Sequence, residues 1–589
     1  MKHLNETVDH GRTQVEMALN PSFSRDVEAR GSTSHSENQG LLSSDQNHYS
    51  RPKSNYVQRI TMLLICILFG GLLIILSVTS ATLDKVKNLK FPSTVTTVYP
   101  SLGLPGYEGY SWNDVVTQAY GQDVNMMINA GLTSPHYYWI VNYLAPKMAA
   151  DYNINVKFVN NNPCPITGVT GMCSTPDIVT TIKTKVANNK DMTAGPYDIV
   201  WINGLNFYNM KTNNLLYGPF ADKIPSTVNF DFESDTLKYD FKTPTTGYEM
   251  PYGFAYNTFI YATGTAAAAA SLDSTDVDSV FKIATWITTT GSLKFTYGAP
   301  AKMSGTTVVE DSYDGAAFLK QAFYEVGKAG SDANFCSTYF SSNLANCQAL
   351  KYSYDDFTET DFTTIPAKYT AIAPFLFSFL RQIEPNLYAD TTGTSNYGGL
   401  TKNYPTYSTP TSGANAADLI TKFKAETIWL MNTYTATAPS ALKKSDGTYI
   451  AQGYTLTTGD LANSNYFAIP INAKNKLAAL VVINYVSSAA AMFQRKSGTL
   501  DNPSALTGWT QYQAYDPSAD EFTYKGENWK VAFDSVPNSK NCATLDNLRS
   551  SKIPEPPVAY ISQLEIDWYW CVMNYGDSQT PASVSTRCG

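Results

Sequence analysis

The sequence predicts an α/β fold divided into more than one domain, with a single transmembrane helix before it. At 589 residues the chain is too long for one compact core. From about residue 105 onward, strand patterns alternate with helix patterns, which is typical of parallel strands joined by crossover helices. Earlier in the chain, residues 60–81 form one uncharged apolar segment, and about 20 such residues are enough to cross a bilayer.

The first part of the α/β region shows the alternation most clearly. Apolar spacing predicts strands over residues 123–130, 154–159 and 197–202, and helices over residues 135–151 and 175–188. In sheets of this kind, ligands bind beyond the carboxyl ends of the strands, next to the helix N-termini that follow. We therefore expect functional residues at the ends of these strands.

The N-terminal region is expected to anchor the protein in a membrane. Residues 1–58 are polar and have no apolar period, which predicts a disordered cytosolic tail. Residues 59–81 are interpreted as a transmembrane signal anchor and residues 82–105 as a stalk. The flanking positive charges are nearly balanced, and cleavage after the span remains open. The tail contains ENQGLL at residues 37–42, which matches a dileucine signal for a sorting adaptor, although such short patterns also arise by chance.

The cysteines predict that most of the chain lies outside the cytosol. Cys66 lies in the predicted span and the seven others follow it. Two pairs lie close together in loop-like sequence: Cys164 with Cys173, and Cys336 with Cys347. Short spacings in loops predict local disulfides, which need an oxidising compartment. The bulk of the chain is therefore expected to be extracellular or luminal, at the plasma membrane or in the endosomal and vacuolar system.

Composition argues against several classes of function. The net charge is −8 and no basic stripe is present, which argues against a nucleic-acid partner. Only His136 follows the predicted span, so a multi-histidine metal site is excluded there and Ser–His catalysis is disfavoured. No CxxC zinc spacing occurs, and Cys542, Cys571 and Cys588 leave an odd cysteine. The sequence predicts no cofactor and no metal site.

Five stretches are too specific for a generic α/β domain. The first three are residues 197–207 (YDIVWINGLNF), 247–253 (GYEMPYG) and 463–473 (NSNYFAIPINA). Two more are residues 313–325 (YDGAAFLKQAFYE) and 425–432 (AETIWLMN). In this order they resemble the extracellular solute-binding proteins of bacterial ABC importers, in the branch near the thiamine- and iron-type binding proteins. The resemblance covers roughly residues 125–574. Together with it, the predicted anchor and the long polar tail lead us to expect a membrane-anchored, eukaryotic member of that family.

The resemblance implies a class II periplasmic-binding-protein fold, in which crossing strands join two α/β lobes and the solute lies in the cleft between them. Lobe 1 is expected over residues 106–255 and lobe 2 over residues 256–465. Residues 466–589 are expected to return to lobe 1 and to end in C-terminal helices. The sequence agrees independently, because residues 253–262 and 466–471 have strand patterns able to cross from one lobe to the other.

The motif positions give the candidate ligand-binding residues, near strand ends and the hinge. They are Thr133, Trp201, Asn203, Asn206, Tyr252, Asp314, Glu426 and Asn465. The aromatic members offer stacking faces, the asparagine amides fix orientation, and the two carboxylates are the acidic candidates of lobe 2. Structural interpretations stay open for Thr133 as a helix cap and Asn206 as a turn residue. The neighbouring Glu249 is interpreted as a tie for the hinge loop or as a partner of a cation.

The expected function is reversible binding of a small solute by cleft closure, for uptake or for sensing, without catalysis. The aromatic and acidic candidates favour a thiamine-like compound or another small organic cation. In uptake, the partner of such a protein would be a permease. Two alternatives remain: a surface receptor or interaction protein on a retained solute-binding fold, and an enzyme on that fold, since a fold does not fix function.

Overall fold

The structure is a computed structural model that describes most of the chain after residue 99. The described residues are 100–128, 135–160, 164, 173–188, 192–264, 266–267, 271–304, 306–310, 313–388, 396–397, 400–401, 422–434, 442, 447–497, 523–524, 527–528, 541–576 and 578–589. The predicted tail and transmembrane helix lie outside the described residues, as does Thr133. Within the described ranges, no helix combines the length and the apolar character that crossing a membrane requires.

The described elements alternate along the chain as an α/β protein requires. The strands are β1 (Asp123–Met127), β2 (Asn155–Val159), β3 (Ile199–Ile202), β4 (Tyr239–Asp240), β5 (Thr243–Pro244), β6 (Glu249–Tyr256), β7 (Thr258–Ala262), β8 (Ala301–Ser304), β9 (Thr307–Glu310), β10 (Asn396–Tyr397), β11 (Leu400–Thr401), β12 (Leu430–Thr433), β13 (Ala451–Tyr454), β14 (Asp460–Ala468), β15 (Thr523–Tyr524), β16 (Glu527–Asn528) and β17 (Lys552–Pro554). The α-helices are α1 (Trp112–Ala119), α2 (Pro135–Trp139), α3 (Ala145–Tyr152), α4 (Thr175–Asn188), α5 (Gly204–Thr212), α6 (Asp235–Lys238), α7 (Val280–Thr289), α8 (Tyr313–Gly327), α9 (Ala333–Tyr339), α10 (Leu344–Gln348), α11 (Ala367–Ile383), α12 (Lys476–Val486), α13 (Ala489–Ser497), α14 (Leu545–Ser551), α15 (Val558–Trp568) and α16 (Ala582–Ser585).

We call the part of the fold around β1, β2 and β3 the first lobe and the part around β7, β12 and β13 the second lobe. The first lobe is built on the parallel strands that the sequence predicts. β1 pairs in parallel with both β2 and β3. Trp139, Leu144 and Leu480, from the helical segments 135–152 and 476–486, share one hydrophobic core with Phe467 of β14. Helices α4 and α5 contribute to a second core that contains Val200 of β3. Helices thus pack against the strands through two separate cores, and the alternation predicted for this part of the chain is confirmed.

Two long strands pass between the lobes and pair with each other. β14 pairs antiparallel with β6 along most of its length, and its C-terminal part also pairs antiparallel with β3. Leu461, near the start of β14, lies in the core of the second lobe, whereas Phe467 lies in the core of the first. The strand predicted over residues 253–262 is divided at Asn257, because the chain leaves β14 there and pairs with β12 and β13 instead.

The second lobe has an antiparallel sheet rather than a parallel one. β7 lies between β12 and β13 in this sheet. The surrounding core includes residues of α7, α8 and α11, such as Ile283, Phe323 and Phe379. Tyr560 and Trp568 of α15 are fully buried in the same core. After β14 and α12 have returned to the first lobe, the C-terminal helices therefore pack in the second.

Three disulfides lie in the described part of the chain. The predicted pairs Cys164–Cys173 and Cys336–Cys347 are confirmed. A third disulfide joins Cys571 to Cys588, so the odd cysteine is Cys542. The third disulfide joins Cys588 to the π-helical turn Tyr569–Met573 that follows α15, and a buried ion pair between Arg587 and Asp567 of α15 (Nε to Oδ2, 2.6 Å) reinforces this attachment. Three disulfides agree with folding in an oxidising compartment.

We predict that the Cys571–Cys588 disulfide contributes measurably to stability. It closes a loop with a sequence separation of 17, so Cys588→Ser should lower the free energy of unfolding by about 3 kcal/mol in the chain-entropy model. The measurement is denaturant unfolding under non-reducing conditions. The matched control is Cys542→Ser, which breaks none of the three disulfides and should change the free energy by less than about 1 kcal/mol. Equal stability of Cys588→Ser and wild type would contradict the prediction.

Candidate functional site

A narrow polar cleft lies where the crossing strands pass between the lobes, and we call it the hinge cleft. The space between its walls is about 250 Å³ when the part open to solvent is included, and the enclosed part has room for about one water molecule. The lining residues come from the segment around β4, from the middle of β14 and from the chain that leads into α15: Asp235, Tyr239, Asp240, Phe241, Lys242, Ala462, Asn463, Ser464, Pro554 and Glu555. The hinge cleft therefore has a crossing strand in its wall and the entry to the second lobe beside it.

A buried ion pair forms the second-lobe side of the hinge cleft. Lys320 Nζ of α8 lies 2.7 Å from Glu555 Oε2, and the two side chains are 6% and 1% exposed. Glu555 Oε1 also accepts hydrogen bonds from the Tyr434 hydroxyl and from Asn463 Nδ2, the latter at 3.1 Å. Lys320 Nζ donates to the Tyr434 hydroxyl at 3.2 Å. Because a buried charge is tolerated only when it is paired and hydrogen-bonded, these contacts compensate for the burial of the Glu555 carboxylate.

The hairpin formed by β4 and β5 lies on the first-lobe side and is bound to helix α5. Asp240 Oδ2 accepts a hydrogen bond of 2.6 Å from the backbone N–H of Gly204, the first residue of α5. Farther along α5, Lys211 Nζ donates to the Pro244 carbonyl and, at 2.8 Å, to Thr246 Oγ1. A carboxylate at a helix N-terminus is favourable because the first backbone N–H groups have no partner within the helix.

Phe241, at the tip of this hairpin, lies between the two lobes. On one side its ring packs so closely on Gly204 that a Cβ atom there would lie 3.2 Å from the ring. On the other side Lys320 Nζ lies 5.5 Å from the ring centroid, within the range of a cation–π interaction. The next residue, Lys242, reaches Asp355 at 3.8 Å. The hairpin tip therefore contacts both lobes.

Two carboxyl groups on the first-lobe side are buried with little compensation. Burial raises the pKa of Asp240 well above its usual value, the Gly204 N–H opposes this shift, and the charge of Glu555 adds to it. Glu249 is fully buried, and neither of its carboxyl oxygens has a hydrogen-bond partner among the described residues. Burial, and after it the proximity of Asp240, raises the pKa of Glu249 well above its usual value, while Lys211 opposes the shift. A positive charge close to either carboxyl would favour its ionised form.

Three of the residues predicted from the sequence lie together at the end of β3. Asn203 is the N-cap of α5 and its Nδ2 donates to Asn465 Oδ1 at 3.4 Å. Trp201 is half-buried, and its ring stacks on that of His136 with a centroid distance of 5.4 Å. These residues lie on strands adjacent to the hinge cleft, but they are not among its lining residues.

Other predicted residues lie elsewhere. Tyr252 is 1% exposed and its ring stacks on Phe467 at 4.3 Å, so it belongs to the first-lobe core rather than to an open pocket. Asn206 lines a different groove, between α4 and α5. Glu426 precedes β12, and its Oε2 accepts the Ala266 N–H at 3.2 Å. Because β12 runs antiparallel to β7, Glu426 is at the end of that sheet away from the hinge.

Asp314 does not line the hinge cleft, but it binds a residue that contacts one of the lining residues. It is buried at the start of α8, and its Oδ1 accepts the backbone N–H of Tyr434 at 3.1 Å. Tyr434 in turn donates its hydroxyl to Glu555. Asp314 therefore holds the residue that contacts Glu555, and it is not itself a lining residue.

Sequence reasoning missed Asp240, Phe241, Lys320 and Glu555. Lys320 lies inside the motif 313–325, where the search for acidic candidates of lobe 2 points to Asp314 alone. Asp240 and Phe241 lie in a polar segment with no apolar period, and Glu555 follows a three-residue strand. The one signal available was the run of charged and aromatic residues between two motif stretches, which is too common to identify a site.

The fold and the hinge cleft together define the class of protein. Antiparallel crossing strands that join two parts of an α/β fold, with a polar cleft at the crossing, form a two-lobed α/β architecture. No family model matches the chain. Among curated proteins it is similar to Protein YnjB of Escherichia coli (strain K12), with 25% identity over 398 residues, covering 67% of this chain and 82% of that protein.

Solved structures of bacterial solute-binding proteins are similar to the chain at low identity. One of them is the spermidine/putrescine ABC transporter substrate-binding protein PotD from Streptococcus pneumoniae, which is 13% identical to this chain. The aligned region covers 75% of this chain and 97% of the PotD chain, with a TM-score of 0.42. A putative extracellular solute-binding protein from Bordetella parapertussis has 12% identity, covers 76% and 97% of the two chains, and gives a TM-score of 0.40.

We predict that Asp314 makes stability depend on pH. Burial raises its pKa to about 6, although the Tyr434 N–H and the Thr433 side chain oppose the shift. The folded state holds the proton of Asp314 more tightly than the unfolded state does. Asp314 therefore contributes about 3 kcal/mol to the free energy of unfolding at low pH, and this contribution is lost as the pH rises from about 4 to about 6. The measurement is the free energy of unfolding at several pH values across this window.

The decisive variant is Asp314→Asn, which keeps an oxygen acceptor for Tyr434 and removes the titration. Its free energy of unfolding should fall less between these pH values than that of wild type. The control is Asp151→Asn, where the carboxylate pairs with Lys147 on the surface. A wild-type pH profile that Asp314→Asn leaves unchanged would show that this carboxyl is not the titrating group.

Proposed function

We propose that the protein captures a small organic cation in the hinge cleft, outside the cytosol, by closing its two lobes over it. One observation carries the proposal: the cleft has the Asp240–Phe241 hairpin tip of the first lobe on one side and Glu555 of the second lobe on the other. A solute held from both sides favours the closed arrangement of the lobes, because it binds that arrangement better than the open one.

The charge of the hinge cleft supports a cation as the solute. Carboxylates of Asp235, Asp240 and Glu555 line the cleft, and Glu249 is buried behind it. The two lysines nearby already have acidic neighbours, Lys242 with Asp355 and Lys320 with Glu555. Two aromatic side chains, Tyr239 and Phe241, complete the lining. Acidic groups in excess beside aromatic rings are a favourable environment for an organic cation.

The location and partners follow from the disulfides and from the predicted anchor. Three disulfides favour an oxidising compartment. The predicted signal anchor would leave a short tail in the cytosol and the two lobes outside. In this arrangement the protein delivers its solute to a permease, and the membrane holds it near that partner. The tail's dileucine pattern would add contact with a sorting adaptor. Binding without turnover distinguishes this proposal from an enzyme on the same fold.

We predict that an organic cation stabilises the purified full-length protein and brings its two lobes together. The test compounds are thiamine, putrescine and spermidine, with galactose as a neutral solute. A cation at about 100 times its dissociation constant should stabilise the folded state by about 2.7 kcal/mol, seen as a higher melting temperature. Small-angle scattering should show a smaller radius of gyration in its presence, and the solute should be recovered chemically unchanged.

Matched aromatic variants locate this binding. Phe241→Ala should weaken binding of the cation by about 0.5–2 kcal/mol, because the ring face is lost. Phe230→Ala, a partly buried aromatic residue packed outside the hinge cleft, should leave the affinity within about 0.5 kcal/mol of wild type. Stabilisation by galactose alone, or a chemically altered solute, would contradict the proposal. So would a Phe241→Ala variant that binds as wild type does.

A further inference from the structure

Two buried oxygen atoms of the hinge cleft lack a hydrogen-bond donor. Asp240 is 2% exposed, and its Oδ1 has no partner among the described residues, whereas its Oδ2 accepts the Gly204 N–H. Asn463 Oδ1 is likewise buried without a partner in the described part of the chain. Both residues line the hinge cleft. Buried acceptors without donors are rare in folded proteins and require an explanation.

The chemistry of the neighbours determines which atoms of these side chains remain available. Asn463 Nδ2 donates to Glu555 Oε1 at 3.1 Å. Since an ionised carboxylate only accepts hydrogen bonds, this contact fixes the orientation of the amide and leaves Oδ1, the acceptor, for another partner. The cleft thus offers one carboxylate oxygen and one amide oxygen, and a ligand that satisfies them has to bring N–H or O–H donors.

We propose that the hinge cleft is a site for an ammonium group that carries N–H bonds, a primary or secondary alkylammonium, which donates to Asp240 Oδ1 and Asn463 Oδ1. This inference rests on the proposed function and narrows it. A quaternary ammonium or a thiazolium ring has the positive charge but no N–H on the charged group, so it leaves both oxygens unsatisfied at a cost in affinity. An alkylammonium satisfies them and supplies the charge that Asp240 lacks.

The protein already binds an ammonium group of this kind in the adjoining wall. The Lys320 ammonium contacts the Glu555 carboxylate and the Tyr434 hydroxyl, and it lies 5.5 Å from the Phe241 ring and 5.6 Å from the Tyr434 ring. One carboxylate, one neutral oxygen and two ring faces thus hold this ammonium. Asp240, Asn463 and Phe241 would supply the same combination to a solute, with one ring face in place of two.

Binding of an ammonium group is expected to release a proton from Asp240. Burial raises the pKa of this carboxyl, and a cation against Oδ1 favours its ionised form, so binding should lower that pKa. The alkylammonium keeps its own proton because its pKa is about 10. Affinity should therefore rise with pH until Asp240 is ionised in the free protein. The groups that interact with Asp240 are the N–H of Gly204, Glu555, Glu249 and Tyr466, and the other charged or polar residues that line the same cleft with it include Asp235, Lys242, Asn463 and Ser464.

The test compares n-butylammonium with tetramethylammonium by calorimetric titration of the full-length protein. Both carry one positive charge, and only the first has N–H bonds on the charged nitrogen. We expect n-butylammonium to bind at least about tenfold more tightly. Asp240→Asn keeps an acceptor for the Gly204 N–H. This variant should bind n-butylammonium about tenfold or more weakly than wild type, and its affinity should no longer rise with pH. Asn463→Leu should weaken binding of n-butylammonium by about fivefold, and the surface control Asp151→Asn should stay within about twofold.

Each opposite outcome overturns the inference and separates it from the function proposed above. If tetramethylammonium binds as tightly as n-butylammonium, and Phe241→Ala weakens that binding, the cleft is a cation site but does not require N–H donors. A folded Asp240→Asn variant with unchanged affinity and an unchanged pH profile would refute the assignment of Asp240. If neither compound binds while thiamine closes the lobes, the inference fails and the proposed function stands.

Discussion

The antiparallel pairing of β14 with β6 is the constraint on which the rest of the structure depends. These strands belong to both lobes, since β14 begins in the second-lobe core at Leu461 and ends in the first-lobe core at Phe467. A register shift between Asn465 and Tyr466 interrupts the ladder midway, and such bulges bend a strand and redirect its side chains. The stretch before the shift includes Asn463, which lines the hinge cleft. Strand pairing therefore sets one wall of the cleft, whereas the turn between β4 and β5 and the segment after β17 supply residues of the other walls.

The buried carboxyl groups near the crossing strands differ in how well they are compensated, and this difference separates structural roles from binding roles. Glu555 has an ion pair and two hydrogen bonds. Asp240 has one bonded oxygen, and Glu249 has no hydrogen-bond partner among the residues described. Well-packed apolar residues usually replace buried charges without loss of stability. Partly compensated carboxyls at a cleft are thus poorly explained by folding alone, and they are well explained by a positively charged solute.

Local patterns predicted much of the fold and little of the hinge cleft. The parallel strands β1, β2 and β3 follow from apolar spacing, and two disulfides follow from short separations in loops, because both depend on residues close in sequence. Asp240 and Glu555 come together only because β14 and β17 pair and the β4–β5 hairpin lies on α5, and no local pattern encodes such contacts. Glu426 was assigned to the cleft because its motif resembles a family segment, yet the antiparallel direction of β12 places it at the opposite end of the sheet.

The backbone of the hairpin tip is strained, and the contacts that hold it connect the tip to both lobes. Phe241 and Lys242 have φ angles of 47° and 60°, a conformation that costs non-glycine residues on the order of 1–2 kcal/mol each and persists only where contacts hold it. The contacts to Gly204 and Lys211 fasten the hairpin to the first lobe, whereas the contact of Phe241 with Lys320 crosses to the second. In the proposed function, opening of the lobes would break the contacts of Phe241 with Lys320 and of Lys242 with Asp355 and would preserve those with Gly204 and Lys211. Asp240 would then move with the first lobe and Glu555 with the second, so a cation between them would be bound most tightly when the lobes are closed.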